Sequence, residues 1–304
     1  MAFNSLVLVK QVPDTKNITG EAMLDDGTVN RGALPAIFNP EDLNALEAAL
    51  ALGQLCGGKV TVMTMGPPSA CEVLRECLYR GADRVILITD RRAAASDTLA
   101  TSYILSCGVR RIRDVQVVFC GRQAIDGDTA QVGPQLAEKL NLPQVTYVEE
   151  LIEASDSSLT LRRNLGDGYE IVKAPLPLLM TIVDTANTPR PPAARRMLKY
   201  KRARAKTELQ KEASEEYGKD ASDEIERYVQ QRSEDLSAKG LLIEQWDLDT
   251  VKADVTRCGR NGSATKVHRI QSVVLTGSEH KRVELTEQAI GDLVHELIED
   301  HTIG

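Results

Sequence analysis

Short runs rich in Val, Ile and Leu punctuate the first 185 residues: Ser5 to Lys10, Lys59 to Met65, Arg84 to Thr89, Val115 to Cys120 and Leu178 to Val183. Each has the length and β-branched content of a buried parallel strand. Between them lie the longer stretches Pro40 to Cys56, Pro68 to Tyr79 and Ser96 to Cys107. In the first of these, Leu43, Leu46, Ala49, Leu50 and Gln54 follow spacings of three and four, which puts an apolar stripe on one helix face. Strand and helix repeated in this way predict an α/β domain built on a doubly wound, mostly parallel sheet. Leu159 to Arg163 and Tyr169 to Lys173 flank Asn-Leu-Gly-Asp-Gly, and Asp167-Gly168 predicts a two-residue turn and so an antiparallel hairpin on that sheet.

The pattern changes after Thr185. Asn-Thr-Pro-Arg-Pro-Pro, from 187 to 192, breaks regular structure, and Arg195 to Lys206 then carries seven basic residues and no acid. Thr207 to Gly240 reverses the sign, with ten acids against five bases and helical spacing around Ile225, Tyr228 and Val229. Thr286 to Glu299 predicts one more helix, capped by Thr286. The expected organisation is an α/β domain over 1–185 and a C-terminal arm over 186–304, which contains the basic block and a helical insertion at 207–240.

Composition narrows the chemistry. The 304 residues carry 37 Lys and Arg against 44 Asp and Glu, a net charge of 37 − 44 = −7, and only 4% aromatics. That balance argues against a general nucleic-acid binder, which needs basic surface and stacking platforms. No apolar stretch reaches the roughly 18 to 20 residues of a membrane span, and no basic region precedes the first apolar run, so no secretory signal is expected. The six cysteines form no Cys-x-x-Cys pair, which fits buried thiols in a reducing cytoplasm. All four histidines fall at or after 268, leaving little basis for hydrolase or zinc chemistry.

Gly53 to Lys59 fits the start of a phosphate-binding P-loop, but Val60 stands where a Ser or Thr must hold magnesium, and the segment precedes a strand. Gly57-Gly58 reads better as a helix C-cap. The loop after the first strand lacks the Gly-x-Gly-x-x-Gly dinucleotide fingerprint. The densest signal is Cys120-Gly-Arg-Gln-Ala-Ile-Asp-Gly-Asp-Thr-Ala-Gln-Val-Gly-Pro134, which leaves the carboxyl end of a strand and enters a helix. Whether that helix opens at Asp128 with Gln131 completing a capping box, or at Gly133 with Pro134 first, N–H groups around Thr129 to Gly133 are left for a phosphate. The plain alternative is that Asp128 and Thr129 merely cap the helix. Met65-Gly-Pro-Pro68 and Phe38-Asn-Pro-Glu-Asp42 supply two further loops at a strand end and a helix start.

These residues carry a family resemblance. Val9-Lys-Gln-Val-Pro-Asp-Thr15, Asn39-Pro40 with Ala45-Leu-Glu-Ala-Ala-Leu50, Gly81-Ala-Asp-Arg84 and, above all, 121–133 resemble the β subunit of electron-transfer flavoproteins along nearly the whole chain. The resemblance implies an adenine-nucleotide α-hydrolase-like fold, an α-subunit partner holding a redox-active FAD, and either AMP or a second FAD in this subunit. By position it implies a nucleotide pocket of Leu8, Lys10, Asn39, Asp42 and Met65 with Asp126, Gly127, Asp128, Thr129, Ala130, Gln131 and Val132. Val12 to Thr15 and Gly127 to Val132 look like the two-flavin branch that bifurcates electrons from NADH. The AMP-bearing branch usually has a bulkier residue where Thr15 lies, so FAD is expected here.

The chain departs from the family pattern in places. Glu41 replaces an aromatic expected near the α-subunit flavin. Ala194 stands where a leucine normally anchors into an acyl-CoA dehydrogenase, which turns expectation toward another dehydrogenase or a membrane-linked oxidoreductase as electron partner. Thr207 to Gly240 reads either as a docking element for a further subunit or as a solvated helical hairpin. The expected function is electron transfer, with no residue acting as acid, base or nucleophile. Alternatives are a non-bifurcating carrier with structural AMP and a stand-alone nucleotide-binding signalling module that resembles universal stress proteins.

Overall fold

The structure, a computed structural model, describes residues 2–14, 34–266 and 282–299. In chain order its strands and helices are β1 (Ser5–Leu8), β2 (Gln11–Pro13), β3 (Ala36–Phe38), α1 (Pro40–Cys56), β4 (Val60–Met65), α2 (Cys71–Arg80), β5 (Arg84–Ile88), α3 (Thr98–Arg111), β6 (Val117–Gly121) and α4 (Val132–Leu140). There follow β7 (Gln144–Ser155), β8 (Ser158–Asn164), β9 (Tyr169–Pro175), β10 (Leu178–Ile182), α5 (Ala194–Tyr200), α6 (Lys206–Tyr217), α7 (Ser222–Ala238), β11 (Glu244–Trp246), α8 (Gly259–Gly262) and α9 (Glu287–Glu299). Thr15, on which the AMP-or-FAD reading leans, and His268, His280 and His301 lie outside the described residues.

A nine-stranded sheet runs in the order β11-β5-β4-β1-β6-β10-β7-β8-β9. It is parallel from β11 to β7, and β8 and β9 continue it antiparallel. Alternation along β1 sorts the core: Val7 and Val9 join Leu46, Leu74 and Phe119 beneath α1 and α2, whereas Leu6 and Leu8 join Met63, Ile104 and Leu136 beneath α3 and α4. Both faces are covered, which is why the central strands read as continuous apolar runs. From β1 the chain winds outward to β4 and β5, then crosses to β6 on the other side of β1. The carboxyl ends of β1 and β6 therefore flank a topological switch point.

The five predicted strands appear within a few residues of their expected bounds, and α1 coincides with Pro40 to Cys56. Gly57, at φ +78, ends α1 by donating its N–H to Gly53 O, so the apparent P-loop is a helix end leading into β4. The hairpin forms, but not through a two-residue Asp167-Gly168 turn. Pairing closes at Asn164 with Tyr169, and the loop 165–168 takes its positive φ at Gly166, whose N–H donates to Asn164 Oδ1. That bond replaces the local turn chemistry that Asp167 and Gly168 would have supplied.

Beyond residue 185, β11 pairs with β5 at the sheet edge. The 207–240 stretch forms α6 and α7, and α6 is fastened to α2 by Arg75, which reaches Glu208 at 2.9 Å and Ala203 O at 3.0 Å. Thr286 accepts the Ala289 N–H at the start of α9, as its capping role predicts. Among the described residues no helix is long and apolar enough to cross a membrane.

Candidate functional site

A cleft of about 630 Å³ opens at the carboxyl ends of β1, β4, β5 and β6. This falls within the roughly 300–1,000 Å³ usual for small-molecule and cofactor sites. One wall is the loop that leaves β6 and enters α4. It is held from behind by the first turn of α1, whose polar residues are buried. Asn39 Nδ2 donates to Gln123 O at 2.9 Å and its Oδ1 accepts the Ile125 N–H at 3.1 Å. Glu41 accepts the Gln123 N–H at 2.8 Å and pairs with Arg122 at 2.7 Å. Asp42 accepts from Gly121 N–H at 3.0 Å and Lys10 N–H at 2.9 Å, tying the ends of β1 and β6 together. Burial raises the Glu41 carboxyl and pushes Asp42 up to about 7, against the donors that favour its charge.

The loop then bends twice through conformations that residues with a Cβ seldom adopt, at Asp128 (φ +48) and Ala130 (φ +52). Such strain persists where surrounding structure over-determines it and tends to gather at functional sites. Here it delays the helix: α4 starts at Val132 with Gln131 as a cap that makes no side-chain bond to it. The opening thus falls between the two that the sequence allows, and Asp128 does not cap it. Among the described residues, no N–H from Thr129 to Gly133 has an acceptor. This row of donors at a helix N-terminus is suited to an anionic group.

Leu8, Lys10, Met65 and Asp42 line the cleft together with Asp126, Gly127, Thr129, Ala130, Gln131 and Val132. Asn39 is buried behind the wall, and Asp128 is exposed on the loop outside the cleft, accepting from Gln123 Nε2 at 3.1 Å. Lys10 Nζ lies 2.7 Å from Asp126, joining β1 to the loop at the cleft's rim. Gln131 Oε1 accepts from Thr98 Oγ1 at 2.8 Å, and Gln135 Oε1 from Ser102 Oγ at 3.1 Å, so α3 and α4 are linked across the cleft.

The opposite wall, residues 89–98 after β5, is absent from the sequence reading. Its signal is a carboxyl-end loop closing on Asp97-Thr98, and Asp97 does cap α3 by accepting the Ala100 N–H at 2.9 Å. Met63, Met65, Ile88 and Leu105 make the floor apolar. The site therefore offers anion-binding donors in the wall that enters α4 and apolar side chains at its floor.

Fold and site define a doubly wound α/β protein with its ligand cleft at the sheet's switch point. The electron transfer flavoprotein domain matches residues 26–215. Over 300 residues, 99% of this chain and all of the relative, the sequence is 36% identical to electron transfer flavoprotein subunit beta of Clostridium acetobutylicum. It is 49% identical over 186 residues, 61% of this chain and 70% of the relative, to the caffeyl-CoA reductase-Etf complex subunit CarD of Acetobacterium woodii. It is 37% identical over 293 residues, 94% of this chain and 90% of the relative, to protein FixA of Azorhizobium caulinodans. The chain belongs to the electron transfer flavoprotein family, on the beta-subunit side, and its function is electron transfer.

Proposed function

We propose that this chain is the nucleotide-holding half of a heterodimeric electron-transfer flavoprotein and that its own cleft takes FAD. The observation that carries the reading is the row of free N–H groups from Thr129 to Gly133, set at the switch point beside an apolar floor. Those donors suit a diphosphate. The cleft of about 630 Å³, with Met63, Met65, Ile88 and Leu105 at its apolar floor, has room for more than a mononucleotide, which supports FAD over AMP. Lys10 and Asp126 stand at the rim, where their ion pair would order the loop around an entering ligand.

A flavin bound there supplies the redox couple. The protein's part is to orient it, exclude water and hold the Thr129 to Gly133 donors toward its phosphates. The partner is an α subunit with a further FAD, and electrons pass between NADH or a dehydrogenase and a second redox protein, such as a membrane-linked oxidoreductase. The names of CarD and of the acryloyl-CoA reductase electron transfer subunit gamma of Anaerotignum propionicum place those relatives in reductase complexes, in keeping with a bifurcating role here. Six free thiols agree with a reducing cytoplasm.

The test is cofactor content. Co-expressed with its α subunit and prepared gently, the heterodimer should hold two FAD and be reduced by NADH. One FAD with one AMP would overturn the FAD assignment in this subunit, and a colourless complex would overturn the flavoprotein reading.

A further inference from the structure

Residues 254–265 run along the back of the 89–98 wall and are bonded to it at successive points. The Gly259 N–H donates to Ser96 Oγ at 2.9 Å, and the Arg260 N–H donates to Ala94 O at 3.1 Å. The Asp97 N–H donates to Ser263 Oγ at 2.8 Å, and that hydroxyl donates to Gly259 O at 2.7 Å. The Thr265 N–H donates to Asp97 Oδ2 at 2.7 Å. The approach is as close as a backbone allows: Gly259 has φ +64, and a Cβ there would lie 2.2 Å from Arg92 O. Two contacts fasten the segment to α3 as well, since the Arg257 guanidinium lies 3.8 Å over the Tyr103 ring and Tyr103 accepts the Asp254 N–H at 2.9 Å.

The inner side of the same wall faces the cleft through Ala93, Ala94, Ala95 and Ser96. Ala95 adopts φ +58, a left-handed conformation that costs a residue with a Cβ about 1–2 kcal/mol. Something must hold it there. The groups on either side of it, the Ala94 carbonyl and the Ser96 hydroxyl, are the two that Arg260 and Gly259 grip. Among the described residues, 254–265 place no side chain in the cleft. The segment reaches the ligand space through the bend that it enforces and through Asp97, which lines the cleft.

We propose that residues 254–265 are a positioning clip: by holding the Ala95 bend from behind they shape the cleft wall and set its affinity for an adenine nucleotide. This rests on the nucleotide reading of the cleft given above. Ser263 is the residue through which the clip is best tested, because it bonds both to Asp97 and back to Gly259.

The experiment compares the full chain with its Ser263→Ala, Ser263→Thr and Gly259→Ala variants. Each is titrated with ADP and with FAD, while thermal unfolding and amide hydrogen exchange over 91–98 are followed. Ser263→Ala should weaken both probes about tenfold, the equivalent of roughly one hydrogen bond's free energy. It should speed exchange over 91–98 and leave the unfolding midpoint nearly unchanged. Ser263→Thr, which keeps the hydroxyl, should bind as the wild type does. If Ser263→Ala and Gly259→Ala both bind like the wild type, or lose affinity only in step with global stability, the clip is overturned while the cleft reading stands. A wild-type chain that binds neither probe overturns the cleft reading, and the clip with it.

Discussion

Asp42 and Gly121 are joined by a bond that leaves no room for a methyl group: Asp42 Oδ1 accepts the Gly121 N–H at 3.0 Å, and a Cβ on Gly121 would lie 2.6 Å from that same oxygen. The backbone of α1 is equally close, with Asp42 N and the Glu41 carbonyl carbon each 2.8 Å from that point. A flexible side chain could turn away, but the start of a buried helix cannot. Gly121→Ala should therefore lower unfolding free energy by about 1–3 kcal/mol in urea titration and weaken nucleotide retention with it. An unchanged midpoint would show that α1 and β6 can part at no cost.

The same carboxyl should leave a signature in pH. Asp42 titrates near 7 in the folded chain, raised by burial from an ordinary carboxylate value of 3.8. Between those values the folded state keeps the proton and the unfolded state has lost it, so stability falls as pH rises from about 4 to about 7 and then levels off. The cost is roughly a few kcal/mol at most. Asp42→Asn cannot titrate, so the wild type's stability relative to this variant should shrink across that window. Urea midpoints of both proteins at pH 5 and pH 8 decide it, and a constant difference would refute the burial account.

Arg75 is the hinge pin of the 207–240 stretch. Its side chain is 6% exposed and is bonded to Glu72, Glu208 and the Ala203 carbonyl. Glu208 also accepts the Ala205 N–H at the start of α6. Removing Glu208 leaves Arg75 with the exposed Glu72 carboxylate and the Ala203 carbonyl, and takes the acceptor from the Ala205 N–H. Glu208→Ala should cost about 1–3 kcal/mol in thermal or chemical unfolding, whereas Glu215→Ala, on the exposed side of the same helix, should move it by less than about 0.5 kcal/mol.

Helix α9 has no buried residue, yet Ile290, Val294 and Ile298 repeat every fourth position and stand 48%, 42% and 48% exposed. An exposed apolar stripe on a helix with no buried residue is the mark of a surface awaiting a partner. Val294→Asp should leave the isolated chain's unfolding midpoint unchanged and weaken its association with the α subunit at least about tenfold by calorimetry. Equal affinity for both proteins would remove α9 from the contact with the α subunit.

The centre of the sheet is legible in the sequence because β1, β4, β5, β6 and β10 are buried on both faces and so write nearly unbroken apolar runs. What escapes is whatever depends on distant partners. Glu244 to Trp246 is too short to show a period, and only pairing with Ile86 to Ile88 makes it a strand. Gln11 to Pro13 and Ala36 to Phe38 are each three residues long and define one another. At the site, 120–134 stands out because small residues, hydroxyls and carboxylates follow a strand end. Asn39 and Asp42 are harder to read: a polar residue at a helix start looks the same whether it caps, binds a ligand or braces a loop. The structure uses Asn39 to brace the loop, and Asp42 to brace it while also lining the cleft.

The placement of β11 bears on how the molecule is made. Glu244 meets Arg84 across 160 residues of chain, and β11, the last strand among the described residues, becomes the outermost strand beside β5. Until Glu244 to Trp246 have left the ribosome, the hydrogen-bonding groups along that side of β5 lack the strand they pair with. Contacts of such long reach slow folding and leave a temporary template for pairing with other chains. Assembly of this subunit should thus be most vulnerable late, in the interval between completion of β10 and arrival of Trp246.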